Sequence, residues 1–240
     1  MANPYFKFKQ FTIFHDKCAM KVGSDGVLLG AWTDIADAKK ILDIGCGSGL
    51  IALMLAQRCN EAKIHAIDID AGAVLQSEEN IDNSPWKNRL SVEHISLQNF
   101  AEKSTETFDL IVSNPPFFNR SLHTPNANRT LARHNDSLPH DDLINSCKRL
   151  LNPQGRIALI LPIDEGEKFI ENAAFNGLFC LKKTIVYPKP GAKAKRLLLE
   201  FKFESHVKET LISEITIESE FRHTYSKKFT ELVKDFYLNL

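Results

Sequence analysis

Cysteine is scarce in this chain, and its few cysteines form no pattern. There are five, an odd number without a Cys-x-x-Cys pair: Cys18, Cys46, Cys59, Cys147 and Cys180. Disulfide frameworks use even sets of cysteines, and zinc sites use closely spaced ones. The eight histidines likewise show no metal-ligand spacing. We therefore predict reduced thiols in a cytoplasmic protein and no bound metal.

Long apolar runs are also missing. No stretch approaches the roughly 18 residues of a membrane span, and the first residues lack the apolar segment of a secretory signal. We therefore expect neither membrane association nor export. The 43% hydrophobic content over 240 residues is instead typical of a globular α/β domain with a substantial core.

Net charge is absent too, because 30 basic residues balance 30 acidic ones. This balance argues against a nucleic-acid partner attracted by the overall field of the protein. The local distribution is less even, since six basic residues fall between 182 and 196, and Arg120, Arg129 and Arg133 lie close together. These groups could neutralise the phosphates of an RNA, although a solvated charged surface explains the lysines equally well.

From residue 40 onward, apolar strand patterns alternate with helical ones. The predicted strands are 41–45, 63–68, 91–95, 108–113, 155–161, 178–187 and 195–203, and the predicted helices are 48–59, 71–82, 139–150 and 164–175. This alternation predicts the α/β class, with a doubly wound, mostly parallel sheet of seven strands. The last two strands are joined by a proline and glycine turn, which predicts an antiparallel hairpin at the end of the core.

The two ends of the chain are predicted to extend this core, residues 40–204, within one domain spanning 1–240. Residues 5–14 alternate in polarity like a half-exposed strand or hairpin. A short helix should follow within 1–39, capped by Ser24 or Asp25. The tail, 205–240, has the pattern of a strand and then an amphipathic helix. We expect the protein to be a monomer.

A glycine-rich turn follows the first core strand. Gly45, Gly47 and Gly49 are spaced by two, between the apolar run 41–44 and a helical stretch. Glycine permits positive φ there and lets a ligand approach bare backbone. Asp68 ends the next strand, 23 residues after Gly45. An acid at this position is the expected partner of ribose hydroxyls in nucleotide-binding sheets.

The spacing favours one adenosine-containing cofactor over another. A dinucleotide site has its third glycine one residue later than this turn does. Asp43 lies two residues before Gly45, where a carboxylate would repel a pyrophosphate but favour the ammonium and sulfonium groups of S-adenosylmethionine. The alternative is that Asp43 only caps nearby amides at the end of its strand.

A second motif, Asn114-Pro115-Pro116-Phe117, follows the buried strand 108–113. The prolines fix φ and provide no backbone donors, so the loop can be rigid without further pairing. Asn114 and Pro115 offer two acceptors, and Phe117 offers a ring on which a planar group can stack. This set suits an exocyclic amino group and predicts N-methylation. The alternative is that the prolines merely end a strand.

With these motifs the chain resembles the class I, seven-stranded S-adenosylmethionine-dependent methyltransferases over most of residues 20–204. Within that class it is similar to the tRNA1(Val) (adenine-37-N6)-methyltransferases. The narrower resemblance rests on 20–32, on 45–49, on the Asn-Pro-Pro-Phe-Phe run at 114–118 and on the ending 229–237. It implies S-adenosylmethionine as cofactor and a tRNA substrate.

The resemblance also implies roles for individual residues. Asn114 and Pro115 would accept the two hydrogens of adenine N6, and Phe117 would stack on the base. Residues 21–25 would close the cofactor pocket. Ser96 stands where such enzymes often carry an acid that contacts the cofactor's adenine. The expected cofactor-binding residues are Lys21, Gly23, Asp25, Asp43, Gly45, Gly47, Gly49, Asp68, Ser96 and Asn114.

Other functions remain open on the residues alone. Asn-Pro-Pro-Phe also occurs in guanine-N2 methyltransferases, and a protein glutamine amide presents the same planar NH2 group. Glutamine methyltransferases usually end the motif in tyrosine, whereas this chain has Phe117. A nucleotide-binding scaffold without catalysis is a third possibility, since fold does not fix function.

Overall fold

A computed structural model describes residues 3–18, 21–116, 138–204, 209–221 and 224–240. Its strands are β1 Tyr5–Lys7, β2 Thr12–Phe14, β3 Lys40–Ile44, β4 Lys63–Asp68, β5 Leu90–His94, β6 Phe108–Ser113, β7 Leu151–Pro162, β8 Leu178–Tyr187, β9 Arg196–Phe203 and β10 Leu211–Thr216. Its helices are α1 Ser24–Trp32, α2 Leu50–Arg58, α3 Ala71–Asp82, α4 Leu97–Lys103, α5 His140–Leu150, α6 Ile163–Phe175 and α7 Lys227–Val233.

Eight of these strands form one sheet in the order β10-β8-β9-β7-β6-β3-β4-β5. Every neighbouring pair is parallel except the two that involve β9. The predicted α/β class, the seven core strands and the antiparallel β8–β9 hairpin are therefore confirmed. The predicted tail strand is β10, which adds to the edge of the core as an eighth strand. The predicted N-terminal hairpin is the separate pair β1–β2.

Two local predictions are wrong. The strand predicted at 155–161 begins earlier, since residues 151–154 also belong to β7, and residues 152–155 form an irregularity in its pairing with β6. A Cβ at Gly155 would lie 2.8 Å from the Phe108 carbonyl oxygen, so only glycine fits this close approach. Neither Ser24 nor Asp25 caps α1, whose N-cap is Gly23 without a side-chain hydrogen bond. The carboxylate of Asp25 pairs with Arg196 instead.

Each face of the sheet carries its own apolar core. On one face, helices α4, α5 and α6 pack around buried Phe169 and Phe201. On the other face, α1, α2 and α7 enclose a cluster to which both chain ends contribute, including Phe8, Phe229 and Phe236. The predicted amphipathic tail helix is thus packed against the domain. No helix in the described ranges is both long and apolar enough to traverse a bilayer.

The two ends of the chain meet in this second core. The Lys9 backbone N–H donates to the Phe236 carbonyl at 2.8 Å, and the Lys9 ammonium donates to the Lys234 carbonyl at 2.6 Å. The rings of Phe8 and Tyr237 lie 6.1 Å apart. Burial of these aromatic rings supplies the free energy that holds the termini in place.

Candidate functional site

The predicted site residues converge because their strands are parallel neighbours. β3 pairs with β4 on one side and with β6 on the other, so their carboxyl ends share one edge of the sheet. The glycine turn follows β3, Asp68 ends β4, and Asn114 follows β6. Ligands of open α/β sheets bind at this edge, next to the point where the strand order reverses.

The glycine turn has the backbone conformation that its sequence predicts. Gly45, Gly47 and Gly49 have φ of 68°, 54° and 78°, which residues with a side chain rarely adopt. The N–H groups of Gly45 and Cys46 donate to the Ile67 carbonyl, at 2.9 and 3.1 Å, and so fix the turn to the tip of β4. A Cβ at Gly45 or Gly47 would meet nothing within 4 Å. The turn therefore presents bare backbone to open space.

Gly49 has no room for a side chain, because α3 packs against it. A Cβ on this residue would lie 2.6 Å from the Ser77 hydroxyl oxygen of α3. Gly49 is also the N-cap of α2, where it has no side chain to accept from the free amides of the first turn. Asp43 fills that role from the neighbouring strand, because its Oδ2 accepts from the Ala52 N–H at 3.1 Å.

Asp43 is fully buried beneath the turn, at 0% exposure. Its second oxygen, Oδ1, has no hydrogen-bond partner in the part of the chain that the structure describes. Burial is the main cause that raises the pKa of Asp43 to about 7; the bond from the Ala52 amide opposes this rise, and the charge of Asp68 adds to it. The capping alternative is thus satisfied by one oxygen of Asp43, and the other remains unpartnered.

Asp68, at the end of β4, lies beside the glycine turn. Its Oδ2 accepts from the Gly47 N–H at 2.8 Å, and its Oδ1 accepts from the Asp70 N–H at 2.9 Å. These two bonds orient the carboxylate, and each oxygen keeps a lone pair for a further donor. The arrangement fits a pair of ribose hydroxyls.

Asn114 presents an unpartnered acceptor at the end of β6. Its Oδ1 is buried and has no hydrogen-bond partner among the described residues. The end of β6 is fixed to β3 because the Ser113 hydroxyl donates to the Ile44 carbonyl at 2.8 Å. Pro115 is buried and Pro116 is exposed. Phe117 lies outside the described residues.

The remaining predicted residues are placed around this centre. Lys21 and Gly23 are exposed just before α1. The carboxylate of Asp25 accepts from Arg196 Nε at 2.7 Å, which joins α1 to the start of β9. Ser96 is the N-cap of α4, where its hydroxyl oxygen accepts from the Asn99 N–H at 3.2 Å.

Sequence reasoning missed Asn80, which braces the glycine turn. This α3 side chain is 1% exposed. Its amide nitrogen donates to the Phe14 and Ser48 carbonyls, at 2.8 and 2.9 Å, and its oxygen accepts from the Phe14 N–H at 2.9 Å. The N-terminal hairpin is thereby joined to the turn. An amide within the apolar stripe of a predicted helix is the signal that could have revealed it.

Sequence reasoning also missed Cys18. Burial, together with the negative charges of Asp68 and Asp70, raises the pKa of its thiol to about 11. Cys18 therefore lies close to Asp68, the acid expected to contact a ribose. Within the described ranges, no three His, Cys, Asp or Glu side chains are grouped in a way that could hold a metal ion.

A separate groove of about 570 Å³ opens at the opposite edge of the sheet, at the amino ends of β3, β4, β5 and β6. Its lining includes Lys63, His65 and Lys103 but none of the predicted site residues. The His65 ring stacks on Phe100, with centroids 5.2 Å apart, and its Nδ1 lies 2.8 Å from the Ser91 hydroxyl. These contacts give His65 a structural role.

Known proteins provide an independent comparison. Residues 20–185 match the family model of the methyltransferase small domain. A protein of Phocaeicola vulgatus named tRNA1(Val) (adenine(37)-N6)-methyltransferase is 52% identical over 241 residues, covering 100% of both chains. One of the same name from Parabacteroides distasonis is 50% identical over 240 residues, again with 100% coverage of both. A solved structure of a predicted O-methyltransferase from Agrobacterium tumefaciens, 18% identical, has a TM-score of 0.67 over 88% of this chain and 96% of that one, which supports the fold alone.

Proposed function

Since the chain belongs to the methyltransferase small domain family and, within it, to the tRNA1(Val) (adenine(37)-N6)-methyltransferases, we propose that it methylates the exocyclic N6 of adenine 37 in tRNA1(Val). The proposed cofactor is S-adenosylmethionine, and the proposed location is the cytoplasm. The one observation on which the chemistry depends is the buried Oδ1 of Asn114, which no described residue partners. An acceptor that folding leaves without a donor is available for a donor on the substrate.

The residues around the glycine turn fit the cofactor. Gly45 and Gly47 leave open space where side chains would stand, so the methionine end of the cofactor can approach the backbone. The free lone pairs of Asp68 suit the ribose hydroxyls. The unpartnered Oδ1 of Asp43 provides negative potential beneath the cationic end. We also assign Lys21, Gly23, Asp25 and Ser96 to the surroundings of this cofactor.

Bound S-adenosylmethionine would supply an electrophilic methyl group. Adenine N6 is a weak nucleophile, because its lone pair is delocalised into the ring. Asn114 Oδ1 and the Pro115 carbonyl would each accept one N6 hydrogen and so draw the amine toward tetrahedral geometry. The same two dipoles would stabilise the positive charge that develops on nitrogen as the N–C bond forms and the C–S bond breaks, and the nitrogen would then release one of its hydrogens to solvent as a proton. Phe117 would stack on the base, a contact worth about 1–3 kcal/mol.

Replacement of Asn114 tests this role. In Asn114→Ala the first acceptor is lost, and we expect kcat to fall by roughly 100-fold or more, as when one preorganised polar partner is removed elsewhere. Affinity for S-adenosylmethionine, measured by calorimetry, should remain within about threefold, since the glycine turn and Asp68 are unchanged. Single-turnover methylation of tRNA1(Val) transcript measures the first quantity. A variant that retains most of its rate would refute the assignment.

The substrate itself is tested with labelled cofactor. Purified protein is incubated with tRNA1(Val) transcript, with the same transcript carrying guanine at position 37, and with total protein from cells. We expect label only in the first sample, and N6-methyladenosine after digestion to nucleosides. Label in the guanine transcript or in protein would favour the guanine-N2 or glutamine alternatives. Size-exclusion chromatography of the same sample tests the proposed monomer.

A further inference from the structure

The basic cluster between residues 182 and 196 separates into two groups in the folded chain. Three of its members are paired: Lys182 with Asp34 at 3.3 Å, Lys183 with Glu167, and Arg196 with Asp25 at 2.7 Å. The other three are exposed and form no ion pair or side-chain hydrogen bond with a described residue: they are Lys189, Lys193 and Lys195. We call residues 188–195, which carry these three charges and no acid, the lysine turn.

The lysine turn lies at the same edge of the sheet as Asn114. It connects β8 to β9, and β8 runs in the same direction as β6 and β7, because both β8 and β7 are antiparallel to β9. Its backbone is held in place, since the Lys195 N–H donates to the Val186 carbonyl at 2.9 Å and the Ala192 N–H donates to the Lys189 carbonyl at 3.2 Å. The three charges are therefore presented on a fixed support.

The strand order divides this edge into two halves around Asn114. The glycine turn and Asp68 follow β3 and β4, on one side of β6. On the other side come β7, β9 and β8, and the lysine turn connects β8 to β9 at this edge. Neighbouring strands are about 4.8 Å apart, so the turn begins roughly 10–14 Å from β6. The glycine turn and Asp68 thus lie on one side of Asn114, and the lysine turn lies on the other. The lysine turn is close enough to contact the nucleotides that flank a base bound at Asn114.

The local charge stays positive after Glu218, an acid beside the lysine turn, is counted. The Glu218 N–H donates to the Pro188 carbonyl at 3.0 Å, which places this exposed glutamate beside the turn. One carboxylate leaves an excess of positive charge over three lysines. Lysine binds phosphate as a compact point charge. A chain with zero net charge needs such a local surface to attract RNA.

We propose that the lysine turn binds the phosphates of the tRNA substrate next to the modified adenine and so sets how tightly the RNA is held. This proposal rests on the proposed function, since it names the surface by which the same site takes its RNA. The paired members of the cluster, Lys182, Lys183 and Arg196, serve the fold rather than the RNA.

A triple replacement, Lys189→Gln, Lys193→Gln and Lys195→Gln, tests the lysine turn. We expect the KM for tRNA1(Val) transcript to rise roughly tenfold or more at 0.15 M salt, and the slope of log affinity against log salt to decrease by about 2–3, one for each lost phosphate contact. Turnover at saturating RNA and affinity for S-adenosylmethionine should remain within about twofold, because neither Asn114 nor the glycine turn is altered.

A matched control removes the same charge from the opposite edge of the sheet. Lys39, Lys63 and Lys103 are exposed, lie near the amino ends of the strands, and form no ion pair or side-chain hydrogen bond with a described residue. Their triple replacement by glutamine should leave the KM within about twofold of wild type, because phosphates at Asn114 are far from that edge.

Several outcomes would overturn the proposal. The lysine-turn variant could keep the wild-type KM and salt slope, or the control variant could lose as much affinity for RNA. Failure of the wild-type protein to methylate the transcript at all would remove the proposed function and this inference together. Normal methylation by wild type with an unaffected lysine-turn variant would remove this inference alone.

Discussion

At the scale of single residues, the site is marked by acceptors that the fold leaves without donors. Asn114 Oδ1 and Asp43 Oδ1 are both buried, and neither has a partner within the described ranges. A buried acceptor without a donor costs about 1–3 kcal/mol, so folding alone would not favour either atom. The two differ in position, because Asn114 ends a strand at the open edge whereas Asp43 lies beneath the glycine turn. The first suits a substrate and the second suits a charge held behind a ligand.

The raised pKa of Asp43 predicts a pH dependence of stability. Burial raises this pKa from 3.8 to about 7. Between these values the folded protein keeps a proton that the unfolded chain has released, so the free energy of unfolding falls as pH rises from about 4 to about 7 and changes no further above that. The total loss from this group is at most about 4 kcal/mol.

Asp43→Asn should remove this pH dependence. The amide mimics the protonated acid and keeps an oxygen for the Ala52 N–H. We expect the stability gain of the variant over wild type in urea unfolding to be about 2–3 kcal/mol larger at pH 8 than at pH 5. Its affinity for S-adenosylmethionine at pH 8 should be lower, because the negative charge beneath the cofactor is gone. A stability difference that does not vary with pH would contradict the assignment.

At the scale of elements, helix α3 connects the N-terminal hairpin to the glycine turn through side-chain hydrogen bonds. Asn80 bonds to Phe14 in β2 and to Ser48 in the turn with one side chain. The backbone N–H of Lys17, just after the hairpin, donates to the Gln76 side-chain oxygen at 3.0 Å. The hairpin therefore supports the cofactor pocket from outside the sheet, although it contributes none of the proposed catalytic atoms.

Asn80→Ala should weaken both the fold and the pocket. The substitution leaves the Phe14 N–H and two carbonyls without their partner, at a cost of about 2–4 kcal/mol in urea unfolding. Cofactor affinity should fall as well, because Ser48 belongs to the turn. Asn83→Ala is the matched control: its side chain donates to the Glu79 carbonyl at the exposed end of the same helix. If both variants lowered stability and cofactor affinity equally, Asn80 would have no special role in joining the hairpin to the glycine turn.

At the scale of the whole molecule, the two chain ends complete one of the two cores. Phe236 is 2% exposed there, whereas Phe175, at the end of α6, is 91% exposed. Phe236→Ala should cost about 3–5 kcal/mol through the cavity that it leaves, which corresponds to a Tm lower by roughly 10 °C for a domain of this size. Phe175→Ala should shift the Tm by less than about 2 °C. Similar shifts in a thermal scan would contradict the closure of the core by the tail.

Much of this architecture could be predicted from local sequence. The apolar runs gave every core strand, and the spacing of Gly45, Gly47 and Gly49 gave the turn with its positive φ. What could not be predicted depends on contacts between distant residues. Nothing near Asp25 indicates that Arg196, 171 positions later, takes its carboxylate. The irregular start of β7 depends in the same way on Phe108 in the neighbouring strand.

In the candidate site, too, the residues with a local sequence pattern could be predicted, and those defined by distant contacts could not. Asp68 and Asn114 could be placed because each follows a recognisable strand, and parallel strands bring their carboxyl ends together. The hydrogen bonds by which Asn80 supports the glycine turn could not be predicted, since Asn80 looks like an ordinary polar residue of α3. The separation of the basic cluster into paired and unpaired lysines required the positions of Asp34 and Glu167, which lie on other elements.

The hydrogen bond between Lys9 and Phe236 has a consequence for synthesis on the ribosome. Phe236 lies 227 positions after Lys9, so the N-terminal hairpin leaves the exit tunnel long before its partner does. The packing of this hairpin, which supports the glycine turn through Asn80, must therefore wait for Phe236. A nascent chain arrested before residue 236 should be inactive even though its Asn-Pro-Pro-Phe motif has already emerged.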